Sequence, residues 1–140
     1  MSGSTTLPSV FEFDKPINEA EAPVPLPARE YRATVKAIEA RVSKNSGKPM
    51  AAVSYSIPPE QYPVDYTDGD PDGTTLTYYV QLEQTPRNMY RLRKFCEMHG
   101  VVATRTLNLV DFMGTEVIVK VEHEDYQGAP QARVTPVREV

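Results

Sequence analysis

The 140-residue chain is short of cysteine, with Cys96 alone, and holds seven glycines against thirteen prolines. One thiol excludes an internal disulfide framework and any zinc site built on cysteines, and it fits a reducing compartment. No apolar run approaches the ~18 residues that cross a bilayer as a helix, so no membrane span is expected. Residues 1–10 have neither a basic start nor an apolar stretch, so no secretory signal is expected. Positive charge is also scarce: 15 Lys and Arg face 19 Asp and Glu, a net of −4. Taken alone, that balance argues against affinity won by covering phosphates with bases. What is present suffices for a packed core, since hydrophobic residues make up 40% and charged ones 24%. The length corresponds to one domain.

The net charge hides a partition. Residues 1–28 carry one base and four acids, giving −3, and residues 29–48 carry six bases and two acids, giving +4. Residues 49–83 have six acids and no base (−6), residues 84–105 have five bases and one acid (+4), and residues 106–140 have three bases and six acids (−3). Alternating blocks of this kind can form a basic face on an acidic protein.

Five prolines fall within residues 1–27, a density that forbids regular helix and favours extended chain. Residues 1–28 are read as an extended acidic arm and residues 29–140 as the folded domain. Phe11, Phe13, Ile17 and Leu26 are the apolar side chains by which the arm could dock. From Glu30 the pattern has period two, with Tyr31, Ala33, Val35 and Ala37 inward. At Ile38 the phase flips, putting Ile38, Ala40 and Val42 inward, which is the mark of a β-bulge. Residues 43–48 form a turn, and further strands are expected near 50–57, 74–83 and 115–124, with a fifth led by Ala132 and Val134. Thr85-Pro86 starts a helix whose buried face is Met89, Leu92, Phe95, Cys96 and His99, and Gly100 stops it. Residues 107–113 form a short second helical turn. The order β-β-β-α-β-β, mainly β, is that of a five-stranded OB-fold barrel.

Several sequence features resemble a family of small phage-encoded proteins of the single-stranded-DNA-binding OB-fold type, found among phage replication and recombination genes. They are Phe11-Glu12-Phe13-Asp14, Leu26-Pro27 before Tyr31, and Lys44-Asn45-Ser46-Gly47-Lys48-Pro49-Met50. They continue with Arg91-Leu92-Arg93-Lys94-Phe95-Cys96, His99-Gly100, the 107–114 stretch, Val117-Ile118-Val119-Lys120-Val121 and Tyr126-Gln127-Gly128. Arg29 stands where that family usually has glycine, and the 58–73 loop is longer and more acidic than expected of it. The resemblance implies an OB-fold and single-strand binding.

OB-folds hold single strands with aromatic platforms and a basic groove across strands two and three, each stacked base contributing about 1–3 kcal/mol. The expected nucleic-acid contacts are therefore Tyr79 and Tyr126 for stacking, with Arg32, Lys36, Lys44, Lys48, Lys120 and Arg133 for phosphates. Arg87, Arg91 and Lys94 form a basic helix stripe that reads mainly as a solvated face. Asp68-Gly69-Asp70-Pro71-Asp72-Gly73 matches half of a calcium loop but lacks the closing glutamate, so a mobile, self-repelling loop is expected and no metal. His99, His123 and Cys96 make no nucleophile–base pair, so no catalytic residues, no cofactor and no enzyme are expected. The reading is a binder of single-stranded DNA with little sequence preference, acting in phage DNA replication or recombination in the cytoplasm of a bacterial host. Its partners would be single-stranded DNA and phage or host replication and recombination proteins, with a homo-oligomer left open. The alternative is an OB-type protein–protein adaptor in a phage recombination or virion assembly that never touches DNA.

Overall fold

A computed structural model describes residues 7–140; the first six residues of the expected arm lie outside the described ones. The period-two stretch forms strand β1, Arg29–Val42, followed by β2, Pro49–Ile57, and β3, Thr74–Gln81. Helix α1, Pro86–Met98, precedes β4, Glu116–Tyr126, and β5, Ala129–Arg138. The five strands make one antiparallel sheet in the order β3-β2-β1-β4-β5, so the molecule is mainly β with a single α-helix among the described residues. The two edge strands, β3 and β5, approach each other without a ladder between them, and α1 touches both.

The alternation places Tyr31, Ala33 and Val35 of β1 in the core with Val53, Tyr55 and Ile57 of β2. Val117, Val119 and Val121 of β4 join them, as the sequence pattern predicts. The bulge falls between Val35 and Ala37, leaving Lys36 without a partner in the ladder to β2, two residues ahead of the expected phase change. In consequence Ala37 points outward, and Ile38 packs against the core while Ala40 and Val42 are exposed. The far end of the β1–β2 hairpin projects past the core, so its inward phase meets nothing to bury against.

Helix α1 starts as expected: the Thr85 hydroxyl accepts the Asn88 backbone N–H, and Pro86 occupies the first turn, where it forfeits no hydrogen bond. It ends in a Schellman arrangement, with Val101 N–H to Cys96 O, Gly100 N–H to Glu97 O, and Gly100 at φ 68°. The buried face is Asn88, Phe95, Cys96 and His99, with Leu92 half-buried and Met89 exposed. Asn88 replaces Met89 because its amide donates to Gln81 O and Glu83 O, fastening the helix start to the end of β3. The second helical segment shrinks to one 3-10 turn, Leu109–Phe112, whose Phe112 fills the core.

The loop of residues 58–73 is folded rather than extended. Tyr62 donates to Asp70 O and bonds Thr74 Oγ1, its ring meets Tyr66 edge-on at 5.4 Å, and both rings close over Gly69. Repulsion among the aspartates is overridden by these tyrosines. The loop in turn holds the arm: Tyr66 donates to Val24 O, and Val24 N–H donates to Asp68 Oδ2. Of the four expected anchors only Leu26 docks, at 2% exposure, while Phe11, Phe13 and Ile17 lie open to solvent.

Candidate nucleic-acid interface

The outer face of β1, β2 and β3 is built from small and hydroxyl side chains. Its cross-strand rows are Thr34–Ser56–Thr75, Ala37–Ser54–Thr77 and Glu39–Ala52–Tyr79. A face this flat leaves the Tyr79 ring, 49% exposed, as its largest aromatic feature. Arg41, fixed by Glu39, lies beside the Tyr79 hydroxyl. On its other side Tyr79 shares a groove of about 290 Å³ with Tyr90, Arg91 and Lys94 of α1. The two basic blocks of the sequence therefore meet at Tyr79, with Arg41 from the first and Arg91 and Lys94 from the second.

The eight residues expected from the sequence do not gather in one patch. The β1–β2 turn carrying Lys44 and Lys48 lies at one end of β1, and the β4–β5 turn beside Tyr126 lies past the other, because β4 runs antiparallel to β1. Arg32, Lys120 and Arg133 lie on the outer face of β1, β4 and β5. They are laced into ion pairs: Arg32 with Glu116, Lys120 with Glu122 at 3.9 Å, and Arg133 with Glu124 at 2.9 Å. Lys48 pairs with Glu83 at 3.1 Å. Only Lys36, exposed at the bulge, and Lys44, in the turn, have no carboxylate within 4.0 Å among the described residues. Each exposed pair contributes little to stability, roughly 0–1 kcal/mol, but each also lowers the charge available to a phosphate.

Sequence reasoning missed Arg41 and Tyr90. Tyr90 carried a signal, since it belongs to the same helix face as Arg87, Arg91 and Lys94. Arg41 and Tyr79 are joined only through the β1–β2–β3 register, which a single sequence does not display.

The remaining chemistry-bearing side chains serve the core. Burial pushes the Cys96 thiol up, and the Glu97 carboxylate adds to that, so the thiol stays protonated at neutral pH. The His99 ring stands between Phe95 O, 2.7 Å from Nδ1, and the Tyr55 hydroxyl, 2.8 Å from Nε2. Because a carbonyl only accepts, Nδ1 carries the proton and Nε2 accepts from Tyr55. The imidazole of His123 meets the arm at Leu26 O, 2.7 Å away. Among the described residues no group of three or more His, Cys, Asp or Glu is placed to hold a metal, and no helix is long and apolar enough to cross a membrane. Asp68 and Asp70 instead turn carboxylate oxygens onto the backbone N–H groups of Val24 and Asp72.

No curated protein matches the chain. Residues 11–138, spanning the exposed arm aromatics, the sheet, the helix and the Tyr79 face, match the model of one family, whose description is "Protein of unknown function (DUF669)". The chain belongs to that family.

Proposed function

We propose that this chain is a single-stranded-DNA-binding protein of the OB-fold type, with little sequence preference, serving phage DNA replication or recombination in a bacterial host. The fold reading is supported by the element order and by the approach of β3 to β5 with α1 lying against both, the layout of a partly open five-stranded barrel. The functional reading rests on one observation. Tyr79, half-exposed on the face of strands two and three, sits where the two basic blocks meet. An exposed ring flanked by cations accepts any base by stacking and its phosphates by charge, without reading sequence.

Four of the six expected phosphate contacts are engaged by carboxylates. Few phosphates are therefore met by unshared charge, and the affinity is modest and falls with salt. Fluorescence anisotropy with labelled oligo-dT and a duplex of equal length, at two salt concentrations, tests this. Binding of the single strand at micromolar protein in low salt is expected, with Tyr79→Ala weakening it about fivefold to a hundredfold. Absence of any single-strand binding under those conditions would end the proposal. The same paired charges favour the second reading, a protein–protein adaptor that never touches DNA, and that outcome would leave it standing.

A further inference from the structure

The groove between the edge strand β3 and helix α1 is not part of the flat sheet face, yet it opens directly from it. Tyr78, Tyr79, Val80 and Gln81 form one wall. Asn88, Tyr90, Arg91, Lys94, Phe95 and Met98 form the other. Its floor is apolar, with Phe95 buried and stacked at 6.4 Å on Tyr78. Its rim carries two half-exposed rings, Tyr79 and Tyr90, and two cations. Arg91 has no carboxylate within 4.0 Å among the described residues. Lys94 lies 5.4 Å from the centroid of the Tyr90 ring and shares Glu97 at 3.4 Å. Arg91 and Lys94 both line the side that faces the β3 edge, beside the Tyr90 ring, which is 58% exposed.

We infer that this groove is a second nucleotide subsite, in which a base of a single-stranded nucleic acid leaves the sheet at Tyr79 and stacks on Tyr90 while Arg91 and Lys94 hold its phosphates. The inference rests on the proposed single-strand reading and extends it, because the bound strand then turns off the sheet and runs over the helix. Three properties of the groove select this occupant. Rings at both walls match a π-face, cations at the rim match a backbone of negative charge, and the site is continuous with Tyr79. Tyr90 is 58% exposed and packs on nothing in the core, so its removal leaves the fold intact.

The full chain, its Tyr79→Ala and Tyr90→Ala variants, and the Arg91→Gln/Lys94→Gln double variant would be titrated with labelled oligo-dT over a series of salt concentrations. Tyr90→Ala is expected to weaken binding about fivefold to a hundredfold at an unchanged melting temperature. The double variant is expected to flatten the log–log salt slope by about 1.4, the value for two single-strand phosphate contacts. A bromodeoxyuridine oligonucleotide should photo-crosslink to both Tyr79 and Tyr90. Wild-type affinity and salt slope in both helix variants, with Tyr79→Ala impaired and crosslinks at Tyr79 alone, would overturn the subsite and spare the proposed function. Failure of the wild-type chain to bind any single strand would overturn both. A peptide of residues 7–20, acidic and carrying Phe11 and Phe13, serves as competitor. Protection of Tyr90 by that peptide and not by oligo-dT would assign the groove to an acidic aromatic segment instead, and the subsite would fall.

Discussion

At the scale of single residues, His99 shows how burial decides chemistry. It closes α1, where the helix dipole favours a positive imidazolium, and its Nδ1–H bond to Phe95 O pulls the same way. Burial among Tyr55, Phe95 and Phe112 outweighs both and holds its pKa below the usual imidazole value. The unfolded chain therefore binds a proton at mildly acidic pH that the folded chain refuses. Stability from this group is complete above pH ~6.5 and is lost as the pH falls from there through the lowered value. Urea midpoints taken between pH 7.5 and 5 should decline in the wild type, and His99→Gln, which keeps an acceptor for Tyr55, should flatten the decline. A wild-type midpoint constant over that range would disprove the assignment. Leu26 is the second such residue. Among the described residues it is the one arm side chain buried in the core, so Leu26→Ala should cost about 2–5 kcal/mol by denaturant titration. A loss under 0.5 kcal/mol would mean that the strap is held by its hydrogen bonds alone.

At the scale of elements, ends and turns carry most of the local information. The Thr85 cap is read directly from a hydroxyl before proline, and Thr85→Ala should lower stability by about 1 kcal/mol. The β4–β5 connection is a two-residue hairpin in which Gln127 and Gly128 both take positive φ, 51° and 83°. Asparagine or glycine suits the first of those positions better than glutamine, since a left-handed L-residue costs roughly 1–2 kcal/mol unless its side chain bonds locally. Gln127→Asn should raise the melting temperature, and an unchanged or lower value would show that the glutamine contributes something besides its backbone angle. The tyrosine-folded loop belongs to the same scale. Its aspartates are plain in the sequence, but Tyr62 and Tyr66 organise it only because they reach Asp70, Thr74 and the arm backbone.

At the scale of the whole molecule, the −4 net charge is less informative than where the charges face. The β1–β4–β5 outer face alternates bases and acids, with Arg138–Glu30 adding to the pairs already named, and presents little net field. Among the described residues, positive charge with no carboxylate within 4.0 Å is left at Lys36, Lys44, Arg87 and Arg91, around the opposite half of the sheet and the helix, and at Lys15, Arg29 and Arg105 elsewhere. The arm divides likewise. Residues 7–23 are exposed, whereas Val24, Leu26 and Pro27 are held by Asp68, Tyr66, His123 and Tyr31. Removing residues 1–22 should therefore leave the urea midpoint within error. If the acidic segment shields the basic half, the same truncation should also raise oligo-dT affinity, most of all at low salt. Equal affinity with and without the segment would exclude such shielding.

The sequence by itself determined the strand alternation, the helix with its cap and stop, the acidic proline-rich arm and the partition of charge. Each of these is set by neighbours a few residues apart, through side-chain period, backbone angle or local composition. The place of the bulge was nearly legible, and missed by two residues, because a run of Val35-Lys36-Ala37-Ile38 admits the slip at more than one peptide. Tertiary structure alone decided which bases are neutralised, which arm residue docks, and that Arg41, Tyr79, Tyr90, Arg91 and Lys94 share one region. Those outcomes depend on strand register and on a helix laid against a sheet edge, which join residues up to tens of positions apart. No local pattern encodes such distances. The two basic blocks were visible as charge along the chain, and it took the β1–β2–β3 register and the packing of α1 against the β3 edge to bring them together at one tyrosine.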